Sequence, residues 1–336
     1  MADIVLTMPK GARAHYYGDD AVAKLGALGA LRLNDGDAPW TAQELIERAR
    51  GCHVIVSDRA TAGPAEIFDS LPDLVAFLRV AIDIRNVDVV AASRNGVLVT
   101  RASRGFVPAV AEWIVGAMVD LARHISDTTL AYRAGQAPPI MMGRQLHGST
   151  VGVIGYGAIG RYFCPLAIAL GMNVMVSDPH AVVDSPGLNQ VDLPTLLDGS
   201  DFVVCLAVAD EATENLMDAA AFARMRRTAY FINASRGNLV DEAALEHALK
   251  SGRIAGAALD VGRAPDQMPS PGLAALPDVV ATPHIGGLTP EAAGHQALET
   301  VRQVAEIVHG RAPPGSVNAD RASRLARLRP AAGIPG

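Results

Sequence analysis

The chain has 336 residues, half of them hydrophobic and 4% aromatic, with a formal net charge of −6. That length accommodates two domains and a large core, while the acidic balance argues against nucleic acid as the main partner. Three cysteines, Cys52, Cys164 and Cys205, stand in apolar contexts without metal-ligand spacing. They read as buried free thiols of a reducing compartment, so a cytoplasmic protein without a metal is expected.

The first residues, Met-Ala-Asp-Ile-Val-Leu-Thr-Met, have no basic region and read as a strand, not as a signal peptide. No later run approaches a membrane span, so no membrane association is expected. Strand-like runs follow at Ile4–Leu6, Val54–Ser57, Leu74–Val80 and Val97–Thr100. Helices are expected between them. One is Thr41–Arg50, with Thr41 as cap and Glu44 completing a capping box. A long helix is expected from about Pro108 to His124, and Pro138 and Pro139 break the pattern within Arg133–Met142. A second series of strands then opens: Val151–Ile154, Val174–Ser177, Phe202–Leu206, Ala229–Asn233, Gly256–Leu259 and Val279–Ala281. A helix from about Pro290 to His309 follows, then a tail rich in Ala, Arg and Pro whose end is expected to be mobile. Alternating strands and helices predict an α/β fold with two parallel sheets. A nucleotide domain over residues 102–288 is inserted into a discontinuous domain of residues 1–101 and 289–336.

The chemistry begins at residues 152–160, Gly-Val-Ile-Gly-Tyr-Gly-Ala-Ile-Gly. Gly155, Gly157 and Gly160 form G-x-G-x-x-G between an apolar strand and an apolar helix. The first glycine permits the tight turn, the second lets the backbone approach a pyrophosphate, and the third packs helix on strand. Free N–H groups at the helix start favour an anion. Asp178, eighteen residues after Gly160, closes the next strand. A carboxylate there binds both ribose hydroxyls and repels a 2′-phosphate, which favours NAD over NADP. A glycine-rich turn of an ordinary α/β domain and a methyltransferase with an adenosyl cofactor are the alternatives.

Ligands of such sheets bind at the carboxyl ends of strands, often between domains. Two such positions stand out: Asn-Ala-Ser-Arg-Gly at 233–237 and Thr-Pro-His-Ile-Gly-Gly at 282–287. Arg236 offers a fixed fork of donors for a carboxylate, and His284 can exchange a proton near neutral pH. Together they suit oxidation of a 2-hydroxy acid. Separately, Arg236 could be a surface pairing residue and His284 a structural histidine. Asp260 also ends a strand and could accept a bond from the nicotinamide carboxamide, or simply fix its own loop.

With Val-Ala-Glu at 110–112, Gly-Tyr-Gly-Ala-Ile-Gly at 155–160 and Leu-Asp-Val at 259–261, these motifs make the chain resemble the D-isomer-specific 2-hydroxyacid dehydrogenase family over nearly its whole length. The family includes phosphoglycerate dehydrogenase and the glyoxylate and hydroxypyruvate reductases. The resemblance implies an NAD-dependent oxidoreductase acting on a small-molecule substrate, with a dimer built mainly on the NAD domains. It implies Arg236 and His284 as catalytic residues, Ala158 and Ile159 along the pyrophosphate, Ala207 and Val208 on the adenine side, and Ala234 and Asp260 on the nicotinamide side.

Three departures qualify the resemblance. The family's Glu before a Pro, which pairs with the catalytic histidine, is absent: residues 260–266 read Asp-Val-Gly-Arg-Ala-Pro-Asp, one residue shorter. Asp266 is the nearest carboxylate for His284, and otherwise it is solvated. The substrate loop, usually Gly-x-Gly-x-Asp-Asn, is Ala81-Ile82-Asp83-Ile84-Arg85-Asn86. Its backbone donors remain for a substrate carboxylate. Asp83 adds a charge that must be protonated or paired, with Arg79, Arg85 or Arg104, if it points inward. Finally, Ala158 stands where the family often has Arg. A dinucleotide-binding regulator on the same fold, and an enzyme of a non-hydroxyacid substrate, are the competing functions.

Overall fold

The computed structural model describes residues 2–328. The chain divides into two compact units. One runs to Gly105 and resumes at Pro290; the other is Phe106–Thr289.

The first unit holds a parallel sheet of β1 (Ala2–Leu6), β2 (Gly29–Leu33), β3 (Val54–Ser57), β4 (Ala76–Arg79) and β5 (Leu98–Arg101), in the order β2-β1-β3-β4-β5. Successive strand residues face opposite sides, and both sides are covered. Ile4, Leu6, Val54, Val56 and Leu78 pack against Ala21, Leu25, Ala297, Val301 and Val304. Val5, Ile55, Phe77 and Val99 pack against Leu45, Ile67, Phe68 and Ala91. This is why the central strands read as continuous apolar runs instead of alternating ones. Thr41 caps the helix Ala42–Arg48 with the reciprocal Glu44 bonds of a capping box. The unexpected strand is β2, a half-exposed edge whose residues lack a two-sided apolar run.

The tail does more than end the chain. Ser316 bridges antiparallel to Thr100, and the Val317 N–H donates to the Val99 carbonyl (2.9 Å). The buried Asn318 side chain accepts from the Val99 N–H and donates to the Val97 carbonyl (2.8 and 3.0 Å). The tail thereby covers the open edge of β5 up to Leu328. The expected mobility of the chain's end lies outside the described residues.

The second unit holds β6 (Thr150–Ile154), β7 (Asn173–Ser177), β8 (Leu188–Gln190), β9 (Phe202–Cys205), β10 (Tyr230–Asn233), β11 (Gly256–Leu259) and β12 (Val279–Ala281). All pair in parallel, in the order β12-β11-β10-β9-β6-β7-β8. The long helix Val107–Arg123 packs seven buried residues into the core. His124, left-handed at φ 53°, ends it, and a second helix, Ile125–Arg133, follows without a buried residue. That helix and the short polar edge β8 are absent from the sequence expectation. The strand order reverses between β6 and β9 while every strand keeps the same direction, which is where an open α/β sheet forms its ligand crevice. No helix among the described residues is long and apolar enough to cross a membrane.

Candidate active site

In the second unit the strand ends present the candidate residues along one edge of the sheet. After β6, Gly155 is left-handed at φ 97°, and a β-carbon there would lie 2.8 Å from the Ala207 nitrogen. A β-carbon on Gly160 would lie 2.5 Å from the Gly155 carbonyl oxygen. Both positions therefore require glycine within the protein itself. Gly157 is different: a β-carbon there meets nothing within 4 Å. Its lack of a side chain serves no packing need in the chain and leaves a cradle over the start of the helix Ala158–Ala169. No side chain caps that helix, so the N–H groups of Ala158, Ile159 and Gly160 point toward that cradle. A pyrophosphate fits this turn.

Asp178 follows β7. Its carboxylate accepts from the Tyr156 N–H (2.7 Å) and the His180 N–H (2.8 Å), which ties it to the glycine turn. Burial alone would push its pKa up. The N–H donors of Tyr156, His180 and Ala181, with the His180 charge, outweigh burial and hold it below the usual carboxylate range. Three N–H donors leave one of the four lone-pair sites open for a ribose hydroxyl. The residues present thus fit the diphosphate and ribose of a dinucleotide. After β9, Val208 is exposed while Ala207 is half-buried. The Ala207 carbonyl accepts from the Ser235 hydroxyl (2.7 Å), which joins the loops after β9 and β10.

Arg236 sits three residues past β10. Buried Asn233 shapes the turn before it: its Oδ1 accepts from the Ser235 N–H (3.1 Å), and its Nδ2 donates to the Arg236 carbonyl (3.0 Å). The Arg236 guanidinium donates to the Ser235 carbonyl (2.7 Å). A β-carbon on the next residue, Gly237, would lie 2.1 Å from the carbonyl carbon of Gly262. The loops after β10 and β11 therefore meet backbone on backbone. Asn233, Ser235, Gly237 and Gly262 are positioning residues that the sequence reading did not single out. The signal available was their place in the 233–237 motif and, for Gly262, directly after Leu-Asp-Val at 259–261.

Asp260 closes β11 and is buried. Its carboxylate accepts from the Thr282 hydroxyl (2.6 Å), the Ile285 N–H (2.8 Å) and the Gly286 N–H (2.8 Å). A β-carbon on Gly286 would sit 2.7 Å from that carboxylate. Asp260 therefore fixes the loop that carries His284, the plainer of its two roles, and keeps one lone pair for a carboxamide. Ala234 stands half-buried on the neighbouring strand end. His284 itself is left-handed at φ 55°. Its N–H donates to the Asp260 carbonyl (3.0 Å). Asp266 does approach His284, by its backbone: the imidazole Nδ1 lies 3.0 Å from the Asp266 carbonyl oxygen. Among the described residues no carboxylate makes an ion pair with the ring.

In the first unit the loop after β4 carries Ala81, Ile82 and Asp83. Their N–H groups meet no acceptor among the described residues, so the loop offers donors to an anion. The Asp83 carboxylate is taken by Arg85, through Nη2 (2.6 Å), Nε (3.0 Å) and the backbone N–H (3.0 Å). The Arg85 guanidinium holds its pKa down at about 2. Asp83 is therefore ionised and neutralised, and Arg85 is its partner among the three arginines considered. Arg79 turns the other way and is fully buried. It bonds the carbonyls of Asp58 and Thr61 in the loop after β3 and the Asn86 side chain in the loop after β4, tying the two loops together. Burial lowers its pKa to about 10, which leaves it charged at neutral pH.

The model of the D-isomer specific 2-hydroxyacid dehydrogenase NAD binding domain matches residues 115–286. D-3-phosphoglycerate dehydrogenase of Methanocaldococcus jannaschii is 31% identical over 319 residues, 93% of this chain and 60% of that protein. Hydroxypyruvate reductase of Thermotoga maritima is 33% identical over 264 residues, 78% of this chain and 86% of that protein. The chain spans 60% and 50% of the first two phosphoglycerate dehydrogenases that it matches. Among solved structures, apo D-lactate dehydrogenase of Escherichia coli superposes with a TM-score of 0.79 at 26% identity, covering 94% of this chain and 100% of that one. The chain belongs to the D-isomer specific 2-hydroxyacid dehydrogenase family, and its second unit contains the NAD-binding domain of that family.

Proposed function

We propose that the protein interconverts a small D-2-hydroxy acid and its 2-oxo acid with NAD, working in the cell mainly as a reductase. The observation that carries this reading is the placement of Arg236 after β10 and His284 after β12, on the same sheet edge as the glycine turn after β6. The bound dinucleotide supplies or takes the hydride. Asp178 grips the adenosine ribose, and the helix start at Ala158–Gly160 holds the diphosphate. Ala207 and Val208 line the adenine side, and Ala234 and the remaining Asp260 lone pair the nicotinamide side. The Arg236 fork clasps the substrate carboxylate and polarises the neighbouring oxygen. His284 gives that oxygen a proton during reduction and removes it during oxidation. The first unit is the substrate domain, with the N–H groups of Ala81, Ile82 and Asp83 as its anion contact.

The protein works in the cytoplasm, consistent with three free, buried cysteines, and as a homodimer through the NAD domains, consistent with the exposed apolar segment around Leu130 to Met142. The test is NADH absorbance against a panel of 2-oxo acids that includes glyoxylate, pyruvate and hydroxypyruvate. At least one is consumed, His284→Ala lowers kcat by roughly 10²–10⁴-fold, and Arg236→Ala lowers kcat/KM strongly. NADH binding without turnover of any 2-oxo acid turns the reading to a dinucleotide-binding regulator. The carbonyl in place of a carboxylate behind His284 is the observation that favours that alternative.

A further inference from the structure

We propose that the main-chain carbonyl of Asp266, and no side chain, orients His284, so that the neutral ring carries its proton on Nδ1 and keeps Nε2 for exchange with substrate. The proposal takes its purpose from the dehydrogenase reading; its geometry does not depend on it. A carbonyl oxygen only accepts, so at 3.0 Å the Nδ1 must be the donor. The hydrogen bond of one ring nitrogen sets the protonation of the other, and this is the only bond the ring makes among the described residues.

The segment between β11 and β12 is built to aim that carbonyl. Gly262 N–H donates to the Gln267 carbonyl (2.9 Å), Gln267 N–H to the Ala264 carbonyl (3.0 Å) and Ala264 N–H to the Met268 carbonyl (3.1 Å). The loop closes on itself with two consecutive left-handed residues, Asp266 at φ 57° and Gln267 at φ 59°. Neither is glycine, so each costs roughly 1 kcal/mol or more. The closure holds because Gly262 admits it: a β-carbon there would lie 2.7 Å from the Pro269 Cα and 2.8 Å from the Met268 oxygen. On its other side Gly262 abuts Gly237, which couples the loop to the turn carrying Arg236. A carbonyl dipole orients an imidazole without adding a formal charge behind it. What position 266 must supply is therefore a positive φ and its carbonyl, whatever its side chain.

Long-range ¹H–¹⁵N spectra of the histidine-labelled protein, at a pH where the ring is neutral, read the tautomer directly. Wild type, Asp266→Asn and Asp266→Gly should all show His284 protonated on Nδ1. Asp266→Val places a β-branched residue where φ is positive; it should mix the tautomers and lower kcat by at least about tenfold. A wild-type neutral ring protonated on Nε2 overturns the proposal. So does an Asp266→Asn or Asp266→Gly variant that changes the tautomer. If the valine variant fails to fold, the asparagine and glycine variants decide alone. A wild type that turns over nothing, yet shows the Nδ1–H ring, upholds the proposal and removes only the dehydrogenase reading.

Discussion

Under the proposed function, Asp178 selects between coenzymes by charge and by geometry. Its carboxylate is ionised at neutral pH, as an ordinary Asp is, and backbone donors carry its pKa lower still against burial. A 2′-phosphate beside it would meet like charge. Asp178→Asn keeps the size of the side chain and removes that charge, so NADH should bind more weakly by about 1.5–3 kcal/mol, the scale of hydrogen bonds to a charged group, while NADPH gains relative to NADH. Fluorescence titration with both coenzymes measures the ratio. Discrimination by the wild type should be complete at neutral pH and fade only as the pH falls through that lowered pKa. Equal affinities in the wild type would remove this role from Asp178. The identity of such residues is legible in the sequence, because a strand end followed by Gly, Arg or His marks a place as well as a chemistry. What was not legible is which atom acts. The sign of φ at Asp266 and Gln267 turns a carbonyl toward His284, and no side-chain pattern announces it. Likewise three arginines were available to Asp83. Burial took Arg79 into the loop clamp, and adjacency gave Arg85 the pair.

At the scale of elements, the central strands were readable because they are buried on both faces. β3, β4, β9 and β11 are buried at every position. The edges were not: β2 is partly exposed, and β8 is short and polar. The tail from Arg311 was also opaque, since its order comes from side chains bonding to backbone and not from any period. Gln303 donates to the Arg101 and Pro314 carbonyls (2.9 and 3.1 Å) and accepts from Thr100 (2.7 Å). Arg324 reaches the carbonyls of Leu71 and Leu74 (2.9 and 3.0 Å). Asn318 is the centre of this arrangement. Asn318→Ala leaves the Val99 N–H and the Val97 carbonyl without their side-chain partner in a buried place. It should cost about 1–3 kcal/mol for each group left unpaired, and it opens the edge of β5. Hydrogen exchange at the Val99 amide should quicken, and the urea midpoint of the first unit should fall. An unchanged midpoint with a protected Val99 amide would mean that the tail merely rests on the edge.

For the whole molecule, the helix Ile125–Arg133 poses a question that one chain does not answer. It has nine residues and buries none of them. A helix that short is marginal in water, and most helices owe their stability to a packed apolar face. Its apolar residues, and those of the extended segment after it, face solvent instead: Leu130 is 62% exposed, Tyr132 69%, and Ile140 and Met142 almost completely. Single exposed apolar residues are ordinary, but several within one short stretch of the NAD-binding unit support the proposed dimer contact. A second copy of this chain is the occupant that the resemblance to the family implies. Leu130→Asp with Ile140→Asp puts charges on that surface without touching a buried residue. The wild type should sediment as a dimer and the variant as a monomer, while NADH binding per chain is retained because Gly155–Gly160 and Asp178 are untouched. Unfolding of the variant at a lower temperature should depend less on protein concentration than that of the wild type, as expected when association contributes to stability. A wild type that sediments as a monomer at micromolar concentration would rule the dimer out and leave the segment to another partner.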